Sequence, residues 1–395
     1  MEKKKIIGNT IYTMSGNLIM NGVLQLAVYP LLHRMMGSEE LGTLLFLMGL
    51  VAILCPSIGQ SLNTSRLVLR RDVEVTNGDY DWLLLIFGAV GSVVALLIAV
   101  SRASLNGGAA AVFTAALIFA TLFRYYGDVE YRLSLHYKQY LIYYLVLTAG
   151  YLLGFVLYRI AGLWYLIFLT GEALALLYVG ITGSIFRNFW ERSPYFSLAF
   201  TRGGFLLLSY LVTNLTLNID RLALNFLIDS TAVTQYYVVS LIGKTMVLLV
   251  VPVNTIIISY LTKRKERLNP GQFLKFVMAG LGVSAVFFLA AQIGTPIFVR
   301  LFYPALYTPV KPLITIVNLS QVLGLYSAYL FIIVLTFTGE SWQLGLQLLH
   351  LGIIAGLVLI LTGRYGIRGF SLAVLAANAI RVVLVVLLGF LKKRT

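Results

Sequence analysis

The chain is poor in the residues on which most soluble domains and enzymes depend. Only 11% of its 395 residues are charged and 59% are hydrophobic, whereas a soluble domain carries about a quarter charged residues. Its one cysteine, Cys55, excludes a disulfide within the chain and a cysteine-based metal cluster. The histidines, His33, His136 and His350, are too widely spaced to suggest a metal site. We find no P-loop, HExxH, GxSxG or paired-carboxylate motif, so we predict a protein that is not an enzyme and holds no metal or cofactor.

What the chain has instead is a series of long apolar runs. A helix needs roughly 20 mostly apolar residues to cross a bilayer, and the sequence predicts twelve such spans with short connections. The predicted spans are 6–32, 41–62, 82–100, 109–124, 140–158, 163–182, 203–226, 234–260, 274–299, 312–336, 343–361 and 369–390. The first run continues to Leu32 without a small-residue cleavage site, so we expect a retained helix and not a signal peptide. The expected fold class is an all-α polytopic membrane protein.

The distribution of basic residues predicts the orientation. With the N-terminus inside, the inside segments carry 20 Lys and Arg residues and the outside loops carry 7. Cytoplasmic loops are enriched in these residues, so both termini are expected in the cytoplasm. Most of the net charge of +15 reflects this bias, which also favours contact with anionic lipid. We therefore predict a bilayer partner and no nucleic acid.

An internal repeat predicts two lobes. YRIAG (158–162) matches YGIRG (365–369) near the end of each half, and HRMMGSEELGTLLF (33–46) parallels NFLIDSTAVTQYYV (225–238) early in each half. Six-helix units repeated in the same orientation, around a central midplane cavity, are a transporter arrangement. The sequence thus predicts pseudo-symmetric lobes over 1–202, with helices 1–6, and 203–395, with helices 7–12. The alternative is convergence of short turns.

The seventh span carries a polar stripe. Asn214, Asn218, Arg221 and Asn225 are spaced by 4, 3 and 4 residues, which places them on one helical face. Such a stripe either locks neighbouring helices together or lines a water-filled cavity that meets an anionic, sugar-rich ligand. We favour the cavity for the stripe. Asp220, beside it, is interpreted as a local counter-ion, with ion coupling as the alternative.

Other spans add candidates. Tyr237, Ser240 and Lys244 share one face of the eighth span, and Lys244 must meet water, a carboxylate or a phosphate because burial disfavours the bare ammonium. Further candidates for ligand binding lie in the first and last spans: Asn17, Asn21, Gln25 and Arg381. Glu172, in the sixth span, is either the partner of an arginine or a proton site.

Several motifs together resemble a known family. They are PLLHRMMGSEELGTLLF (30–46), NIDRLALNFLID (218–229), the pair Tyr236–Tyr237, and YGIRGFSLAVLAANAIRVV (365–383). In these, and in helix number, lobes and termini, the chain resembles the polysaccharide transporter family. This family includes the Wzx-type oligosaccharide flippases of the multidrug/oligosaccharidyl-lipid/polysaccharide (MOP) exporter superfamily.

The resemblance implies a function. Members of that family move undecaprenyl-pyrophosphate-linked oligosaccharides from the inner to the outer leaflet of the prokaryotic cytoplasmic membrane by alternating access, for O-antigen, capsule or exopolysaccharide assembly. It implies a lipid-linked oligosaccharide as partner, H⁺ or Na⁺ as coupling ion, and other polysaccharide-assembly membrane proteins as neighbours. An arginine fork and a lysine point charge suit a pyrophosphate. The alternatives are an ion-coupled multidrug exporter of the same superfamily, which would offer carboxylates to cationic drugs, and a non-transporting scaffold.

Overall fold

The described part of the chain is helical almost throughout. The computed structural model describes residues 2–102, 108–247, 250, 257, 261, 268–336 and 341–391. It contains no strand in these residues, which confirms the all-α fold class. The chain forms two compact units, here called unit 1 (Met1–Met35 with Leu44–Asn218) and unit 2 (Met36–Thr43 with Ile219–Thr395). The lobes expected at 1–202 and 203–395, and a cavity shared by them, stay predictions.

Unit 1 is built from helices that cluster around a tyrosine-rich core. The helices are α1 (Glu2–Val23), α2 (Tyr29–Leu69), α3 (Asn77–Arg102), α4 (Gly108–Gly127), α5 (Val129–Leu133), α6 (Tyr137–Ala161), α7 (Tyr165–Thr182) and the first part of α8 (Phe196–Leu227). Helix α6 packs against α1 and α7, and α4 packs against α3 and α7. Gly150 of α6 meets Gly171 of α7 so closely that a Cβ on Gly150 would lie 2.6 Å from the Gly171 Cα. Small residues at this crossing let the two backbones approach.

Among the described residues, unit 2 contains Met36–Thr43 of α2, the remainder of α8 and four further helices. These are α9 (Ser230–Thr245), α10 (Pro270–Phe302), α11 (Ile314–Leu335) and α12 (Ser341–Leu391), with short helical turns over 304–313. The Asp229 carboxylate accepts a hydrogen bond from the Ala232 N–H at 2.7 Å and so caps the start of α9. Helix α10 begins with a capping box formed by Asn269 and Gln272. Helix α11 packs against α9, α10 and α12.

Long apolar helices make this a multi-pass membrane protein. Within the described ranges, 9 helices are long and apolar enough to cross a bilayer. Helix α10 leaves large apolar side chains exposed along its length, among them Val286, Leu289 and Ile293, a surface that suits lipid. Two of these long helices contain a break, and the predicted span 234–260 runs beyond α9 into residues outside the described part. The count of twelve therefore stays a prediction.

Glycines form the two breaks. Gly37 has φ 81° and ψ −174° inside α2, and Gly366 has φ 57° and ψ −141° inside α12. Positive φ of this kind is open to glycine, which lacks a Cβ, and costs other residues energy. Gly37 separates the predicted first and second spans, and Gly366 separates the predicted eleventh and twelfth.

We expect Gly366→Ala to destabilise the protein. Nothing lies within 4 Å of a Cβ built on Gly366, so the cost, about 1–2 kcal/mol, comes from the backbone conformation alone. Gly363 is the matched control, because it lies one turn earlier in the same helix, is equally open and has no positive φ. Gly363→Ala should be neutral or stabilising. Thermal unfolding of the purified variants checks this, and equal stability of both variants would contradict it.

Candidate ligand site in unit 2

An ion pair joins α8 to α9. The Lys244 Nζ lies 2.6 Å from the Asp220 Oδ2. The Asp220 side chain is 8% exposed and the Lys244 side chain 29% exposed, so the lysine is partly exposed while the carboxylate is buried. A buried carboxylate is costly without a partner. Lys244 therefore meets a carboxylate, which is one of the three environments that the sequence required of it, and Asp220 is its counter-ion.

A second cation lies beside this pair. The Arg221 guanidinium carbon is 5.6 Å from the centre of the Tyr237 ring, a cation–π contact between α8 and α9. The Arg221 Nε is buried and makes no hydrogen bond, and no carboxylate pairs with Arg221 among the described residues. The cluster of Asp220, Arg221, Tyr237 and Lys244, here called the cationic cluster, thus holds two cations and one anion. Its surplus positive charge can bind an anion.

The remaining polar residues of α8 and α9 are tied by local hydrogen bonds. In unit 1, the Asn214 amide donates to the Ser57 Oγ at 2.9 Å, and Asn218 donates to the Asn214 carbonyl at 3.0 Å. In unit 2, Asn225 donates to the Ser230 Oγ at 3.0 Å. Ser240, fully buried, donates to the Tyr237 carbonyl at 3.2 Å. Each of these side chains already makes a hydrogen bond within the protein. Their assignment to ligand binding stays a prediction.

The candidates in α1 lie in the polar core of unit 1. The Asn17 amide donates to the Tyr140 hydroxyl at 3.3 Å, and the Asn21 amide donates to the Asn17 carbonyl at 2.9 Å. Gln25 is half-buried and lies in the π-helical turn Leu24–Val28. Their role toward a ligand also stays a prediction.

Arg381 lies in unit 2 near a buried amide network. Its guanidinium carbon is 5.6 Å from the centre of the Phe331 ring. One turn earlier in α12, the Asn378 Oδ1 accepts a hydrogen bond from the His350 Nε2 at 3.2 Å, and the Asn378 amide donates to the Ser320 carbonyl at 2.9 Å. No carboxylate forms an ion pair with Arg381 among the described residues. Like Arg221 and Lys244, it is a half-buried cation of unit 2.

The structure contains a buried ion pair of which the sequence identified only one member, Glu172. The Arg124 Nε donates to the Glu172 Oε2 at 2.8 Å, and the Tyr151 hydroxyl donates to the Glu172 Oε1 at 2.9 Å. Both charged side chains are almost completely buried inside unit 1. Glu172 is thus the partner of an arginine, which is one of its two predicted roles. Arg124 is the last residue of the predicted span 109–124, and its side chain lies buried in unit 1.

A second buried carboxylate, Asp128, connects several helices of unit 1. Asp128, between α4 and α5, is 3% exposed. Its carboxylate accepts hydrogen bonds from Asn63 at 3.2 Å, Arg132 at 3.1 Å and the Tyr144 hydroxyl at 3.2 Å. These donors come from α2, α5 and α6, so the carboxylate ties three helices together. No periodicity in the sequence identifies such a residue, because it lies at the junction of two helices.

Comparison with known proteins gives the fold. No known protein-family profile matches the chain, and no curated protein matches it in sequence. An inward-facing multidrug resistance MATE family transporter of the MOP superfamily is similar with a TM-score of 0.68 at 13% identity, over 96% of this chain and 93% of that one. The lipid II flippase MurJ, in an inward closed conformation, is similar with a TM-score of 0.66 at 11% identity, over 98% and 86%. The Vibrio cholerae MATE transporter VcmN in the bent form gives 0.61 at 14%, over 98% and 95%. The chain has the fold of these membrane transporters.

Proposed function

We propose that this protein is a flippase that moves a lipid-linked oligosaccharide from the inner to the outer leaflet of a prokaryotic cytoplasmic membrane. Its substrate carries a pyrophosphate between an undecaprenyl chain and the glycan, and its product feeds O-antigen, capsule or exopolysaccharide assembly. The proposal includes alternating access, with both termini in the cytoplasm. It is not an enzyme in this proposal, because the lipid-linked glycan leaves unchanged.

One observation supports the proposal most: the cationic cluster has a surplus positive charge, and one of its cations, Lys244, is partly exposed. A pyrophosphate is strongly anionic and crosses hydrocarbon only when it is neutralised. Lys244 offers a point charge, and Arg221 offers a planar fork of donors that matches phosphate oxygens. Tyr237 is buried beside them, and its ring holds the Arg221 guanidinium by the cation–π contact. The fold supports the proposal as well, since MurJ is described as a lipid II flippase.

A multidrug exporter is the second candidate, because MATE transporters share the fold. Such an exporter needs a carboxylate to attract a cationic drug. Glu172, Asp128 and Asp220 are each already paired with a base. Asp81, at the start of α3, is the observation in favour of this candidate: it is fully buried, and neither carboxylate oxygen has a hydrogen bond in the described structure. Asp81 is a carboxylate that a proton or a cation could neutralise.

Reconstitution separates the two candidates. Proteoliposomes of the purified full-length chain should move a fluorescent undecaprenyl-pyrophosphate oligosaccharide across the bilayer and should not accumulate ethidium. Arg221→Gln should slow glycan translocation about tenfold or more, because a charge-assisted hydrogen bond to phosphate contributes roughly 1.5–3 kcal/mol. The control is Arg202→Gln, an exposed arginine of the same helix. Ethidium transport that depends on Asp81, without glycan movement, would replace the proposed function with drug export.

A further inference from the structure

Lys244 already has an anion at the place where a phosphate would bind. The Asp220 Oδ2 lies 2.6 Å from the Lys244 Nζ, which is the length of a strong charge-assisted hydrogen bond. A phosphate oxygen bound to the same ammonium would have to compete with this carboxylate. In this structure, therefore, the protein's own side chain neutralises the cation.

Lys244 can move to a new partner more easily than Asp220 can. Lys244 is partly exposed, and its ammonium has three N–H donors. It can therefore turn toward an incoming anion. Asp220 is buried, and its Oδ1 has no hydrogen bond among the described residues. If Lys244 turns away, the carboxylate loses the one ion partner that it has among the described residues, and it stays in a buried place that disfavours charge.

The groups around Asp220 offer little compensation. On α9 they are Lys244 itself and Tyr236, whose hydroxyl is hydrogen-bonded to the neutral Gln321 of α11. On α8, Arg221 follows Asp220 in the chain, and its guanidinium is over the Tyr237 ring. An anion that binds to Lys244 and Arg221 would add negative charge next to the carboxylate. Protonation of Asp220 removes that repulsion.

We propose that Asp220 is an exchangeable internal counter-ion: an oxyanion takes its place on Lys244, and the released carboxylate takes up one proton from water. The oxyanion is the phosphate of the substrate, so this inference rests on the proposed function for its ligand. The step breaks one ion pair, forms another and converts a carboxylate to a carboxylic acid. Anion binding and proton uptake are then linked, and each must strengthen the other.

Sulfate is a suitable probe, because it is a divalent oxyanion whose charge does not change between about pH 5 and pH 8. Calorimetric titration of the full-length protein with sodium sulfate, in two buffers of different ionisation enthalpy, counts the protons taken up. For the wild type we expect close to one proton per sulfate at neutral pH, and up to about tenfold tighter binding for each unit by which the pH falls. This measurement needs no variant.

Substitution of the counter-ion gives the second test. Asp220→Asn removes the competing charge and keeps the shape, so it should bind sulfate about tenfold more tightly than the wild type at pH 7.5, with no proton uptake. Glu40→Gln, at an exposed carboxylate of the same unit, should behave like the wild type. Lys244→Met should bind no sulfate.

Three results would overturn the inference: sulfate binding without proton uptake by the wild type, binding by Asp220→Asn that is no tighter than in the wild type, or no sulfate binding by either protein. The first would mean that the carboxylate keeps its charge, and the second that Asp220 only positions Lys244. Sulfate carries neither lipid nor glycan, so these results are independent of translocation. If sulfate behaves as expected while lipid-linked glycan is not moved, the proposed function fails alone.

Discussion

A strain that carries Lys244→Met should lose its surface glycan while the protein still reaches the membrane. Methionine keeps the length of the side chain and removes the charge, so a phosphate loses its point charge at the cationic cluster. Charge-assisted contacts of this kind contribute roughly 1.5–3 kcal/mol each, which corresponds to about a 10- to 100-fold loss of export or more. Quantitative blotting of surface glycan, normalised to the amount of protein in the membrane, measures it. Lys244→Arg should keep partial export, because the charge remains but the fork is larger.

The ion pair complicates this variant, and a double substitution resolves the complication. Lys244→Met leaves Asp220 buried without its partner, and breaking a buried pair from one side costs about 3–5 kcal/mol. Lys244→Met with Asp220→Asn removes both charges and should restore stability. If Lys244 binds the substrate, the stable double variant still fails to export glycan. Normal export from the double variant would reduce the pair to a packing role and leave Arg221 as the main candidate for phosphate binding.

The sequence predicts the fold class well because the bilayer imposes a simple rule. Helices that cross it must be long and apolar, and such runs are visible without any knowledge of packing. The positions of two breaks followed from the same runs, since Gly37 and Gly366 lie in the gaps between predicted spans. The internal repeat predicted the equivalent glycines less exactly. It aligned Gly162 with Gly369 by letter, whereas the positive φ angles occur at Gly162 and Gly366.

The partners of the charged residues could not be predicted, because hydropathy and helical periodicity describe one helix at a time. Asp220 and Lys244 are 24 residues apart and lie on different helices. A polar face of α8 was predicted from the spacing of Asn214, Asn218 and Arg221. That spacing does not predict the contact between Asp220 and Lys244. The same holds for Glu172: an arginine partner was one of its two predicted roles, and the sequence could not identify that arginine as Arg124.

Breaking the Arg124–Glu172 pair should have the largest effect on stability. Both side chains are almost completely buried, and the carboxylate is also held by Tyr151. Glu172→Gln leaves the guanidinium uncompensated inside unit 1, so we expect a loss of about 3–5 kcal/mol in the free energy of unfolding. Thermal unfolding of the purified full-length chain measures this, with Glu191→Gln, an exposed carboxylate of the same unit, as control. Unchanged stability would mean that the pair contributes little to the fold.

A double substitution then decides between the two roles of Glu172. Arg124→Met with Glu172→Leu replaces the pair by apolar side chains, and such replacements are often neutral or stabilising. Both oxygens of Glu172 already have partners in the structure, so a structural role is favoured, and the double variant should recover both stability and glycan export. A coupling carboxylate behaves differently, because no apolar residue can carry a proton. A double variant that is stable, reaches the membrane and exports no glycan would therefore assign Glu172 to ion coupling.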